Sequence, residues 1–353
     1  MAVRMKDIAD DLGVSLMTVS KSLRNHSDIS EKTRNRVLKR MRELNYQPDW
    51  IARSMVTGRT YVVGLVLPDL MHSFFAEVAK GVARKLHPLG YQVVISDTEE
   101  DGDVERRQVD VLVSRKVDGL IIASAQRKGR LELFRMLDRN KTPYVLIDRM
   151  LAGTDAHYVG VKDDELGAMA TEHLIAQGCR RVAHIRGPAA ATGTGRLRGY
   201  RRALARHGMA PNPAYITSGQ YGDTTGYDAM QELLKTNPRP DGVFCYNDPV
   251  AAGAIKAILE AKLRVPEDIA VIGAGNVHYS DLLRIPLSTV DQSSSAIGET
   301  AADLLARCMD SQKRSATSHI FIPPRLVVRD SSRRKEQLPE HQPQEVSAAP
   351  GHP

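Results

Sequence analysis

Two sets of residues in this sequence have types and spacings that can do chemistry. The first is clustered. Ser15, Thr18, Ser20, Lys21, Arg24 and Asn25 place hydroxyls, cations and an amide along one short stretch, and such groups are what phosphate oxygens bind. Leu16 and Met17 stand among them, in the first turn of what reads as a helix and on its solvent side. A thymine methyl is one apolar surface that they can meet. The second set is dispersed: Asp69, Phe74, Asp148, Arg149, Arg196, Tyr221, Asn247, Asp248 and Gln292 fall where apolar runs end or in the loops beyond them. An aromatic face with carboxylate, guanidinium and amide groups suits a sugar or another small polyol. Each also has an ordinary structural reading: Asp148 as a loop cap, Asn247 and Asp248 as helix caps, Arg196 in a surface ion pair.

Catalytic and metal chemistry find no such support. Gly193-Thr-Gly-Arg-Leu-Arg-Gly199 carries its third glycine one position too late for a dinucleotide loop and follows the wrong context. The sequence holds no P-loop, no His-Glu-x-x-His and no Gly-x-Ser-x-Gly. Its 11 histidines are scattered, and Cys179, Cys245 and Cys308 match no zinc or disulfide spacing. Buried thiols, no catalytic residue, no metal and no cofactor are therefore expected. Hydrophobic residues make up 42% and charged residues 26%, a globular composition. No run reaches the roughly 18 apolar residues that span a membrane. Arg4, Lys6, Asp7, Asp10 and Asp11 do not fit a secretory leader, so a cytoplasmic protein is expected.

The elements that must position the first set lie within a basic segment. Residues 1–59 hold 12 Lys and Arg against 7 Asp and Glu, a net of +5 out of the chain's +7. A basic segment on a nearly neutral body suits a polyanion. Ile8, Ala9 and Leu12 share one helical face, Gly13 suits its C-cap, and Ser15 caps a second helix with Val19 and Leu23 inward. Ser30 caps a third, with Val37, Leu38, Met41 and Leu44 as its apolar stripe. Three short helices with a glycine turn between the first two make a helix-turn-helix over residues 1–47; a protein-interaction module of the same size is the alternative. Residues 48–59, from Pro48 to Gly58, read as a hinge with Ile51 and Met55 four apart, too short to be a stable helix alone in water; a plain linker is the other reading.

Residues 5–58 resemble the headpiece of the LacI/GalR family of repressors, on Gly13-Val-Ser-Leu-Met-Thr-Val-Ser20 and on Asn45-Tyr-Gln-Pro followed by Ala52-Arg-Ser. The resemblance implies that Leu16 and Met17 occupy the two specificity positions of the recognition helix. It puts Lys21 where the family usually has a guanine-reading arginine. It also implies a hinge that folds on DNA in pairs, with Ala52 packed closely and Met55 in place of the usual wedging leucine.

Beyond the hinge, strands and helices alternate twice. Residues 61–67, 91–96, 118–124 and 144–148 read as strands and 74–87, 103–115 and 130–139 as helices; then 181–185, 215–217, 243–246 and 269–273 as strands and 165–177, 196–207, 224–235 and 249–261 as helices. That pattern predicts two doubly wound parallel α/β lobes over residues 60–330, with a cleft at the carboxyl ends of the strands. The resemblance extends here to the periplasmic-binding-protein-like (type I) sensor of the family. It implies crossovers near Gly160, Gln292 and Ile322, and an effector site lined by Phe74, Asp148, Arg196, Tyr221, Asn247 and Gln292. Where the family usually has Gly-Phe/Tyr-Asp-Asp this chain has Gly273-Ala-Gly-Asn276, and His72-Ser73 replace Asn-Pro. Fewer acceptors remain, so the effector differs from an ordinary sugar or is anionic, with Asn276 still placed to contact it. The expected protein is a DNA-binding regulator acting as a homodimer on a palindromic operator under a carbohydrate-like effector. A solute-binding protein and an enzyme fused to a headpiece are the weaker alternatives. Residues 331–353, rich in Pro, Gln, Glu and Ser without a leucine heptad, read as a disordered tail.

Overall fold

The apolar positions of the N-terminal segment recur at helical spacing, and its caps sit where that spacing breaks. The result is α1 (Met5–Leu12), α2 (Leu16–Leu23) and α3 (Glu31–Glu43). This computed structural model describes residues 3–23, 26–46, 54, 58–126, 129–188, 190–218, 225–310 and 316–334. Gly13, at φ 64°, ends α1 in the left-handed conformation that a Cβ disfavours. Ser15 Oγ accepts the Thr18 N–H at 3.0 Å and Ser30 Oγ the Thr33 N–H at 3.2 Å. Ile8, Ala9, Val19, Val37 and Met41 form the buried centre of the bundle. Gly58, at φ 69°, donates its N–H to Ser54 O at 2.8 Å. Arg24, Asn25, Ala52 and Met55 lie outside the described residues, as does Tyr221.

The chain divides into two compact units, Met1–Tyr61 and Val62–Pro353. The larger contains two six-stranded sheets. In the first, β1 (Val62–Leu67), β2 (Gln92–Asp97), β3 (Gly119–Ile122), β4 (Tyr144–Ile147), β5 (His157–Gly160) and β11 (His319–Phe321) lie in the order β11-β5-β4-β3-β1-β2, all parallel. In the second, β6 (Val182–Arg186), β7 (Ile216–Ser218), β8 (Gly242–Cys245), β9 (Ala270–Gly275), β10 (Ser288–Asp291) and β12 (Arg325–Val327) lie in the order β12-β10-β9-β8-β6-β7, with only β12 antiparallel. Helices α4 (Ser73–Leu86), α5 (Gly102–Ser114), α6 (Glu132–Arg139) and α11 (Ser294–Asp310) serve the first lobe. Helices α7 (Asp163–Ala176), α8 (Ala191–Arg206), α9 (Thr225–Leu234) and α10 (Asp248–Glu260) serve the second. Strands β1, β3, β4, β8 and β9, at the centres of the sheets, are apolar because helices cover both of their faces.

The chain passes between sheets after β5, after β10 and between β11 and β12, where crossovers near Gly160, Gln292 and Ile322 are expected. Three features differ from the sequence reading. Strands β5, β10, β11 and β12 and helix α11 have no counterpart among the expected elements. Helix α8 starts at Ala191, so Arg196 lies inside it instead of opening it. The expected tail also starts too early. Ser331 and Ser332 are fully buried, with Ser331 Oγ donating to Val271 O at 2.7 Å and Ser332 Oγ 2.6 Å from His173 Nε2. Arg334 donates to Asp241 O at 2.6 Å. Residues 331–334 therefore complete the second lobe, and four ordered residues vanish in the average composition of a long polar segment. The rest, 335–353, lies outside the described residues. No described helix is long and apolar enough to cross a membrane.

Candidate functional sites

The first site is one face of α2. Val19 is fully buried, whereas Leu16 and Met17 are 51% and 60% exposed, as their helical phase requires. Two large apolar side chains thus stand in solvent beside the Ser15 and Thr18 hydroxyls, which are 2.9 Å apart. Ser20 is half-buried on the same helix. Lys21, in its last turn, is ion-paired with Asp28.

The second site is a cavity of about 150 Å³ between the carboxyl ends of the two sheets. Phe74, Asp148, Arg196, Asn247 and Gln292 all line it, together with Asp69, His72, Glu100, Arg149 and Tyr246. Asn276 does not. Its Oδ1 accepts from Arg329 Nη2 at 2.8 Å, so the expected contact of Asn276 with a ligand is corrected. Beside it Gly275 has φ 138° and leaves no side chain where the family's usual carboxylate would be.

Each cleft residue is placed by the element before or around it. Asp148 follows β4 at φ 59°, a conformation a non-glycine residue adopts only when held. Its N–H donates to Val159 O at 3.1 Å and its carbonyl accepts the Tyr158 hydroxyl at 3.0 Å. The carboxyl group is buried, and burial raises its pKa. Arg149 forms a two-pronged bond to Glu100, both arms 2.5 Å. Burial disfavours that cation, but the Glu100 carboxylate more than offsets it and the net pKa is raised.

Arg196 is buried and bound on three sides: Nε to Asp163 at 2.9 Å, Nη1 to Tyr246 O at 2.6 Å and Nη2 to Gln292 Oε1 at 2.9 Å. The Tyr246 ring lies 4.6 Å from its guanidinium carbon. Burial lifts Asp163 to about 6, opposed by Arg196. Glycines let Arg196 reach this place. A Cβ on Gly167 of α7 would stand 2.2 Å from Arg196 O, and one on Gly199 of α8 2.2 Å from Asp164 O. The two helices touch backbone to backbone at these glycines; within α8, Gly193 fits against Pro188 O of the preceding loop and Gly195 against the Asp163 side chain.

Asn247 caps α10, accepting the Val250 N–H at 3.0 Å, and its Nδ2 lies 3.0 Å from His72 Nε2 across the cleft. It is thus both a cap and a cleft residue. Burial lowers the His72 pKa to about 4, so the ring is neutral at neutral pH. Asp248 does not line the cleft. It accepts from the Thr289 hydroxyl at 2.6 Å, the Ser280 hydroxyl at 2.8 Å and the Val277 N–H at 3.0 Å, and so ties α10 to the loop after β9. The sequence reading misses Tyr246, Glu100 and Asp163. Tyr246 was legible as the neighbour of Asn247 at a strand end, whereas Glu100 and Asp163 are single carboxylates in acidic runs.

Residues 4–49 match the model for "Bacterial regulatory proteins, lacI family", and residues 171–332 that for "Periplasmic binding protein-like domain". The ribose operon repressor of Escherichia coli (strain K12) is 34% identical over 305 residues, 85% of this chain and 91% of the relative. The chain belongs to the lacI family of bacterial regulatory proteins. The HTH-type transcriptional repressor PurR of Histophilus somni (strain 2336) is 32% identical over 93% of this chain and 98% of its own. Among solved structures, the Lac repressor dimer bound to operator and the anti-inducer ONPF superimposes with a TM-score of 0.83 at 26% identity, over 94% of this chain and 99% of that one. The complex of the transcriptional regulator CelR with cellobiose has a TM-score of 0.71 at 29% identity, over 93% and 99%. The lacI-family chain is therefore a DNA-binding regulator with an effector-binding domain of the periplasmic-binding-protein type, and not an enzyme.

Proposed function

We propose that the cleft binds an uncharged polyol the size of one sugar ring, and that its occupancy sets operator affinity. The observation that carries this reading is a mismatch in the cavity wall. Arg149 Nε is buried without an acceptor, and Asp148 Oδ2, 3.7 Å from it, has no hydrogen-bond donor among the described residues. A hydroxyl donates and accepts at once, so one ligand hydroxyl between them completes both. Size supports a single ring. An engineered cavity of about 150 Å³ holds one benzene, and the space here is about 150 Å³. The Tyr246 ring closes it on one side, packed where a Cβ on Gly187 would meet it at 2.4 Å. Of an altered sugar and an anion, an uncharged ligand is favoured because Arg149 and Arg196 are each bound to a carboxylate. Relatives named for the ribose operon agree with a single ring; the regulator solved with cellobiose takes two.

On the DNA side, the chain acts as a homodimer on inverted half-sites, supported by the solved Lac repressor dimer on its operator. Ser15, Leu16, Met17, Thr18, Ser20, Lys21, Arg24 and Asn25 face the major groove, and the hinge residues Ala52 and Met55 enter the minor groove. Met55→Gly lowers operator affinity through loss of an apolar wedge; unchanged affinity contradicts that role.

Calorimetry on the full chain tests the effector class. D-Ribose and other pentoses are titrated against D-ribonate and cellobiose. A pentose is expected to bind, and Asp148→Asn to weaken it roughly 10- to 100-fold, the usual worth of a hydrogen bond to a charged group. Preference for ribonate, or full affinity in Asp148→Asn, contradicts the reading.

A further inference from the structure

Lys21 is not an idle cation. Its ammonium is paired with the carboxylate of Asp28, in the loop that leads into α3. The second carboxylate oxygen lies 3.0 Å from His26 Nδ1. The hydrogen bond from Lys21 holds the Asp28 carboxyl below its ordinary range, opposed by burial. A DNA phosphate and Asp28 therefore offer Lys21 the same kind of anionic oxygen, and one ammonium cannot give its full bond to both.

We propose that Asp28 is an internal competitor for DNA, which keeps Lys21 from the phosphates of random sequence and releases it only where α2 is seated on bases. The proposal rests on the reading of α2 as the DNA-facing helix. Exposed ion pairs are weak in water, so the carboxylate is a modest brake. A loosely held non-specific complex, which lives on phosphate contacts alone, does not displace it. A seated helix does, because Lys21 there gains guanine O6 and N7 as acceptors. Discrimination then comes partly from a repulsive element built into the headpiece.

The test uses the full chain, a labelled random-sequence duplex and fluorescence anisotropy over a potassium chloride series. Asp28→Asn is expected to tighten non-specific binding roughly two- to fivefold per headpiece near 0.1 M salt and to steepen the salt slope by about 0.9 per headpiece, the signature of one more phosphate contact in each. Asp10→Asn changes charge equally on an exposed residue of α1 and is expected to do much less. In a Lys21→Ala background, Asp28→Asn is expected to gain nothing, whereas simple repulsion between Asp28 and DNA predicts the same gain with or without Lys21. Asp28→Ser repeats each arm with a second side chain. If Asp28→Asn neither tightens nor steepens binding while Lys21→Ala weakens it, competition is wrong and the DNA-facing reading survives. If Lys21→Ala has no effect in either background, Lys21 does not reach DNA and both fall.

Discussion

Asp148, Arg149 and Arg196 put charge into a buried cleft, and both cations are paired there. Each arginine is matched to a carboxylate, so the cleft offers dipoles and one partly satisfied carboxyl, a setting suited to hydroxyls. Removing one partner of such a pair leaves a buried charge uncompensated and costs about 3–5 kcal/mol. Arg196→Ala is therefore expected both to lower the melting temperature and to abolish the ligand response; an intact response would show that the cleft is misplaced. Tyr246→Ala is expected to admit a two-ring sugar that the native cavity rejects, read by calorimetry with cellobiose; continued rejection shows that another residue sets the size. His184 gives a pH prediction. It is stacked between Tyr200 and Phe244 with its Nε2 buried and unpartnered, and burial lowers its pKa from 6.5 to about 4. Between those values the unfolded chain holds a proton there that the fold excludes, so stability falls as pH drops through that window. The stability gap between the native chain and His184→Phe should change by up to about 1.4 kcal/mol per pH unit there. A gap that stays level in denaturant titrations across that range contradicts a buried neutral ring. Phe74, Asp148, Asn247 and Gln292 were legible because each ends or follows an apolar run, whereas Arg196 was marked by the glycine-rich stretch before it and by the family resemblance. Asn276 was misjudged because no local pattern reveals Arg329, its partner 53 positions along the chain.

Helices α7 and α8 carry the argument from side chains to elements. Their glycines exist for contact, since Gly167 and Gly199 meet backbone of the opposite helix. Gly167→Ala must push α8 outward and take Arg196 with it. A loss of about 1–3 kcal/mol is expected from such overpacking, with weaker ligand binding in calorimetry; a variant as stable and as competent as the native chain would show that the helices are free to separate. Gly193 and Gly195, in its first turns, explain why the sequence reading starts α8 late. Glycine in a helix costs stability, so a glycine-rich run reads as a turn unless the neighbouring backbone is known. Cap chemistry was more transparent: Gly13, Ser15 and Ser30 do what their types suggest. Strands β5, β10, β11 and β12 were opaque because His157, Ser288, Asp291, His319 and Arg325 interrupt them, so none presents the apolar run by which the equally short β3, β4 and β8 are recognised.

The two lobes meet through hydrogen bonds across the cleft. His72 reaches Asn247, and Glu77 of α4 accepts the His278 N–H at 3.0 Å from the loop after β9. A ligand that binds one closure better than another shifts the balance between them, and its effect on DNA cannot exceed that difference in affinity. Couplings of this kind are typically about 1–3 kcal/mol, or roughly 5- to 150-fold in affinity. The most direct test is a titration of the full chain onto its operator, located by footprinting of the DNA flanking its own gene, with and without a saturating single-ring sugar, in the native chain and in Asp148→Asn. The account predicts a change in operator affinity of at least about fivefold in the native chain and, in Asp148→Asn, whose operator affinity without sugar stays native, the same change only at roughly 10- to 100-fold more sugar. Operator affinity that ignores every single-ring sugar, or a response of Asp148→Asn at the native sugar concentration, would contradict it.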